Sequence, residues 1–111
     1  MKVPTSLFAV AGAGIAFAAS AFAADAAANW KEHCAKCHGD AGKGDTKMGK
    51  KLSIRDLSDA TVQAKFTDDQ AFKALKEGLK DKNDKVTMKP IENVSEAEMK
   101  ALVAHVRALK Q

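Results

Sequence analysis

Cys34, Cys37 and His38 stand in the run Cys34-Ala35-Lys36-Cys37-His38. Two thiols at this spacing share one face of a helical turn, where they can form thioethers with the two vinyl groups of a haem. The next residue, His38, can then turn its imidazole toward the iron. Cys-x-x-Cys-His is the attachment signature of a c-type haem, and a proximal His is a standard iron ligand. Three other chemistries use the same residue types. A thioredoxin-like redox pair expects a βαβ setting, and no strand pattern surrounds this pair. A zinc site usually takes four ligands around a tetrahedron. His33, Cys34, Cys37 and His38 crowd onto one turn and cannot easily surround an ion that way. A disulfide between Cys34 and Cys37 would close a very small, strained loop. The haem reading is the strongest of the four.

The second axial ligand must come from elsewhere. A Met thioether opposite the His raises the reduction potential of the iron. Met99 belongs to the apolar stripe of a C-terminal helix and reads as core. Met48 follows His38 so closely that the chain would have to hurry round the haem edge. Met88 sits far enough along, in Thr87-Met88-Lys89-Pro90, and Pro90 stiffens the segment beside it. Met88 is therefore the expected ligand, with Met48 or a non-Met site as the alternatives. His33 neighbours the attachment site and cannot reach the far haem face. His105 reads as a packing or surface residue. The Nδ1 of His38 should donate a hydrogen bond that fixes its tautomer, and the sequence does not identify the acceptor.

Helical elements must position these groups. Asp25 is a candidate cap for a helix from Ala26 to about Lys36, with Trp30 on the same side as Cys34. Residues 39–52 hold four Gly and no sustained period, which predicts a loop. A weaker helix is expected within 55–65. Thr67 and Gln70 form a capping box ahead of a helix that ends at Gly78. Residues 78–94 predict a loop. Ser95 and Glu98 form a second box, followed by Met99, Leu102, Val103, Val106 and Leu109 at helical spacing. No strand alternation appears, so the expected class is all-α, with three to five short helices around one covalent haem.

The first 23 residues read as a secretory signal peptide. Lys2 supplies a minimal positive start, Leu7 to Ala19 an apolar run, and Ala21-Phe22-Ala23 a cleavage site. The competing reading is an uncleaved anchor, since Leu7 to Ala24 reaches the lower edge of a bilayer span. Its Ala and Gly content and small terminal residues favour cleavage. The domain then occupies residues 24–111, with no stable membrane insertion. A chain this small often needs a staple for its core, and a covalent haem would serve. Only Trp30, Phe66 and Phe72 remain as aromatics in that domain.

Together these features resemble a class I c-type cytochrome of the small bacterial monohaem kind. The residues that carry the resemblance are Cys34 to Gly39, the Gly-rich Asp40-Ala41-Gly42-Lys43-Gly44, Met88-Lys89-Pro90, and the closing run Glu98 to Arg107. The resemblance implies a cytochrome c fold with crossed first and last helices and Trp30 at the crossing. It also implies haem attachment outside the cytoplasm, hence a periplasmic protein. Two departures stand out. His105 replaces a Tyr common in relatives, which puts an aromatic pair at the crossing in question. No Pro follows His38 where some relatives use a nearby carbonyl to hold the haem His.

A His/Met iron has no open position and suits one-electron transfer better than substrate chemistry. Nothing in the chain resembles a nucleophile–base pair or a phosphate loop, so neither enzyme nor nucleic-acid partner is expected. The competing class is a ligand-binding, sensor or peroxidase-type haem protein with a labile sixth ligand. With the leader removed, 17 basic and 14 acidic residues remain. Lys73, Lys76, Lys80, Lys82, Lys85 and Lys89 form one cluster; Lys43, Lys47, Lys50 and Lys51 form another. They describe either a basic rim that steers acidic redox partners or an ordinary solvated surface. The expected partners are acidic proteins held transiently, and the expected state is a monomer. Arg55 is a candidate partner for a haem propionate, given Arg's preference for bidentate carboxylate contacts.

Overall fold

The computed structural model of the chain describes residues 26–111. The expected signal peptide and the Asp25 cap lie outside the described residues. Helix α1 covers residues 26–33 and is broken at Cys34, after which α2 spans Ala35–His38. The amide of Cys34 still bonds the Trp30 carbonyl at 2.8 Å, so the two segments run on as one interrupted helix. Short helices α3 (Lys47–Lys51) and α4 (Ala60–Gln63) follow, then α5 (Asp68–Glu77). A two-stranded ribbon, β1 (Leu79–Lys80) and β2 (Val86–Met88), precedes the last helix, α6 (Glu96–Ala108).

Both predicted capping boxes are present. Thr67 accepts from the Gln70 amide while the Gln70 side chain accepts from Thr67, and Ser95 and Glu98 repeat the exchange. Each box satisfies two amides that a helix start would otherwise leave unpaired. The apolar stripe of α6 buries Met99, Leu102, Val103 and Val106 against Trp30, Cys34 and Leu75. Asn29 on α1 donates to Glu98 on α6 at 3.2 Å, and α5 packs on α6. The first and last helices therefore meet around Trp30, with Leu102, 1% exposed, at the centre.

Three expectations about the connecting segments are corrected. The expected loop at 39–52 contains α3. Thr46 caps that helix, its hydroxyl accepting from the Gly49 amide at 2.9 Å and donating to the Cys37 carbonyl at 2.7 Å. The expected helix at 55–65 shrinks to the single turn α4. The Asp56 carboxylate accepts from both the amide and the hydroxyl of Ser58, which holds that stretch in a turn, and Asp59 then caps α4. The expected loop at 78–94 carries the antiparallel ribbon, with Leu79 opposite Met88 and Lys80 opposite Val86 across an irregular register. Its turn is built by Asp81, whose Oδ1 accepts from the amides of Asn83 and Lys85. The ribbon is largely solvent-facing, so it shows no buried-exposed alternation for a sequence pattern to reveal.

Arg107 ties the α4 region to α6. Its guanidinium donates to the Asp68 carboxylate, the Gln63 carbonyl and side-chain oxygen, and the Phe66 carbonyl, all within 2.7–2.8 Å. It also lies over the Phe66 ring, 4.4 Å from the centroid. Buried Gln63 in turn donates to the carbonyls of Leu57 and Val106, each at 2.7 Å.

Candidate haem site

Cys34, Cys37 and His38 are brought together on the turn that ends the α1–α2 segment. Cys34 points into the core and Cys37 is half-buried; neither forms a disulfide. Burial, with the neighbouring Cys37 adding to it, pushes the Cys34 thiol up to about 11. His38 is half-buried, and desolvation holds its imidazole below the ordinary His value. That favours the neutral ring, the form able to bind a metal.

The backbone of this turn is held from several directions. Thr46 grips the Cys37 carbonyl, the Gly44 amide donates to the His38 carbonyl at 2.7 Å, and the Trp30 indole donates to the Gly39 carbonyl at 3.0 Å. Helix α3 approaches so closely at Gly49 that a Cβ there would overlap the Gly44 carbonyl oxygen and lie 2.6 Å from that of Cys37. Gly49 is thus required by proximity rather than by its backbone angles.

The donor set fits a covalently held haem. Two unpaired thiols and an imidazole share one turn, and Cys34 belongs to the apolar core cluster. The four-ligand metal reading fares worse: His33 is exposed, and no group of metal-ligating side chains is found among the described residues.

Of the methionines, Met99 is 7% exposed within the core stripe of α6, as expected. Met48 is 36% exposed on α3, in a shallow hollow lined by Lys36, Lys47 and Lys51. Met88 ends β2, half-buried, and packs against the core cluster. Its backbone is clamped from α5: a Cβ on Gly78 would lie 2.5 Å from the Met88 carbonyl oxygen and 2.9 Å from the Pro90 ring. The Ile91 amide donates to the Leu75 carbonyl at 2.9 Å just beyond. Arg55 is exposed.

Two findings concern residues the sequence left open. His38 Nδ1 is buried and has no hydrogen-bond partner among the described residues, so the acceptor sought for it is not found. His105 is half-buried with its ring 5.2 Å from that of Trp30, so an aromatic pair does form at the helix crossing, with His in the expected Tyr position. Sequence reasoning missed Thr46, Gln63 and the Arg107 network. A Thr three residues before a close-packed Gly signals the first; nothing local marks the others.

The cytochrome c family model matches residues 23–110. The chain belongs to the cytochrome c family, and with its Cys-x-x-Cys-His turn it is a class I c-type cytochrome. A solved structure described as KustC0563 c-type cytochrome is similar at a TM-score of 0.67, with 33% identity over 78% of this chain and 99% of that one. A tyrosine-to-phenylalanine mutant of that cytochrome gives a TM-score of 0.64 at 33% identity and the same coverage. No curated protein matches the chain. The cofactor is accordingly one haem c, attached through Cys34 and Cys37, the chain's only cysteines. Among the described residues no helix is long and apolar enough to cross a membrane.

Proposed function

We propose that this cytochrome is a one-electron carrier whose iron is ligated by His38 and Met88. It would work in the periplasm after loss of residues 1–23 and would not act as an enzyme. The observation that carries the reading is the placement of the methionines: Met88 alone is half-buried on a non-helical segment, whereas Met99 is committed to the core and Met48 faces solvent. The bound haem supplies a one-electron couple. The chain holds the ligand turn rigid, keeps the His38 ring neutral and seats Met88 against the core, so little rearranges on transfer.

The lysines support transient acidic partners. Those of the 73–89 cluster are all exposed. Two are tied up, Lys76 with Glu96 at 2.6 Å and Lys80 with Asp84 at 3.7 Å. The second cluster, at Lys43, Lys47, Lys50 and Lys51, is exposed as well. Association rates with an acidic redox protein should fall as ionic strength rises; a flat dependence would rule out steering.

The deciding experiment is a redox titration followed by visible spectroscopy. A low-spin oxidised spectrum with a weak far-red Met–iron band is expected. Met88→Ala should abolish that band and lower the potential. A high-spin wild-type spectrum with rapid carbon monoxide binding would replace the carrier with a ligand-binding or peroxidase-type protein. A far-red band that survives Met88→Ala would move the ligand to Met48.

A further inference from the structure

Two apolar patches with lysines around them stand on the surface of the described residues. On the ribbon, Leu79 and Val86 are each 49% exposed; on α3 and at its end, Met48 and Leu52 are 36% and 44% exposed. The charge around the two patches differs. The ribbon interleaves Lys80, Lys82 and Lys85 with Asp81 and Asp84, and Lys80 pairs with Asp84 at 3.7 Å. The stretch from Thr46 to Ser53 holds Lys47, Lys50 and Lys51 and no acidic residue. These three lysines are exposed, as is Lys36. None of the four is in an ion pair among the described residues.

Position separates the patches further. Lys36 stands between Cys34 and Cys37, the two attachment residues, so it lies beside a covalently bound haem. It lines a shallow hollow with Lys47, Met48 and Lys51, and the wall of that hollow is mostly carbon, from Met48 and the lysine stems. Helix α3 is fastened to the attachment turn. Thr46 donates to the Cys37 carbonyl at 2.7 Å, and a Cβ on Gly49 would lie 2.6 Å from the same oxygen. A protein seated on this face would meet apolar surface at the centre and charge at the rim, which is how specific interfaces are built. The face is already held by the turn, so docking orders little that was free before. It also brings the partner next to the group that exchanges the electron.

We propose that redox partners dock on the α3 face, with Met48 at its centre and Lys36, Lys47 and Lys51 around it, and that the partner presents an apolar spot ringed by Asp and Glu side chains. The lysines of the 73–89 cluster then add to the overall positive field without entering the contact. The proposal rests on the reading of this protein as a carrier for acidic partners and narrows that reading to one of two lysine clusters. Rim charges act mainly on the association rate and its salt dependence. The apolar centre acts on contact that persists when salt screens the charges. The two contributions can therefore be told apart.

The test uses the oxidised holoprotein, with a reduced acidic flavodoxin as the probe, and follows the haem by stopped-flow absorbance over a series of ionic strengths. One electron passes from the anionic flavin hydroquinone to the ferric iron and leaves the neutral semiquinone. Two double variants carry the same change in net charge: Lys47→Glu with Lys51→Glu on α3, and Lys82→Glu with Lys85→Glu on the ribbon. At low salt the α3 pair should slow the reaction about tenfold and flatten its salt dependence, and the ribbon pair about twofold. Lys47→Gln with Lys51→Gln is a milder α3 pair and should fall between wild type and the Glu pair. Met48→Ala should slow the reaction at high salt and leave the salt dependence unchanged. The reduction potential, visible spectrum and denaturant midpoint of each variant separate lost docking from lost driving force or lost fold. Equal slowing by the two Glu pairs would show that net charge alone acts, and the proposal would be wrong. Greater slowing by the ribbon pair would also overturn it while leaving steering by acidic partners intact. A wild-type rate that ignores ionic strength would remove the steering reading and the proposal with it. If phosphatidylglycerol vesicles captured wild type but not the α3 Glu pair, and the two reacted equally fast with flavodoxin, the face would belong to a lipid surface and the proposal would fall.

Discussion

On the turn that carries His38, the carbonyls of three successive residues, Cys37, His38 and Gly39, are gripped by Thr46, Gly44 and Trp30. On the ribbon that carries Met88, Leu79 and Val86 are each 49% exposed, and the register is irregular. The Met88 segment is held mainly at its rear, where Leu75 of α5 and Gly78 just past the end of that helix meet the backbone from Met88 to Ile91. The contrast follows from local contact. The His38 turn is held by Trp30 of α1, by Gly44 and by Thr46 at the start of α3, whereas the ribbon borrows order from one helix. Segments with few buried apolar contacts open at lower free energy than the core. In a carrier, such a difference would make the Met side the one that yields first under denaturant or an added ligand.

Substitutions that break the rigid flank should have the largest effects. Gly49→Ala forces a Cβ onto the carbonyls of Gly44 and Cys37. It should cost about 3 kcal/mol and sharply reduce the yield of haem-loaded protein, measured by absorbance against total protein. Arg107→Lys gives up four hydrogen bonds and the Phe66 contact. A loss of about 2 kcal/mol in denaturant titration is expected. Thr46→Ala removes both the α3 cap and the grip on Cys37, and should cost about 1 kcal/mol. If Thr46→Ala proved silent, the rigidity assigned to the ligand turn would be overstated.

The ribbon should respond weakly. Asp84→Asn removes the exposed pair with Lys80 while keeping a residue tolerant of the left-handed φ of 66°. No measurable change in midpoint is expected. Hydrogen exchange should be faster for the ribbon amides than for those of α6, and equal rates would erase the contrast between the flanks.

Acid should act on the helical frame. Burial lowers His105, and hydrogen bonds lower Asp56 and Glu98, relative to their ordinary values. In each case the native state holds fewer protons than the unfolded chain, so stability falls as pH falls. The His105 contribution should be lost as pH drops below the ordinary His value of 6.5 toward its lower folded value. The carboxylate contributions follow further down, below the ordinary carboxylate range. Midpoints measured against pH in wild type and His105→Leu should differ in slope just below neutrality and run parallel above it.

Legibility in the sequence tracked how local each feature's cause is. The attachment turn is five adjacent residues, and the two capping boxes close within one helical turn; their chemistry needs no distant partner. The α6 stripe is periodic because one face is buried, so its core residues could be named in advance. Helix α3 was hidden because Gly49, a poor helix former, is required by a close approach to Cys37 and Gly44 that no local pattern encodes. The ribbon was hidden because its residues are mostly exposed and carry no alternation.

The sequence by itself determined that a haem is attached at Cys34 and Cys37, that His38 follows, and that the C-terminal helix buries a stripe. These depend on residue types at fixed short spacings. Only the tertiary structure decided which surroundings each group receives. It set the tilted His105 ring against Trp30, closed the Arg107 network and placed Met88 on a clamped ribbon. Each of those joins residues far apart in the chain, and their meeting depends on how the helices cross.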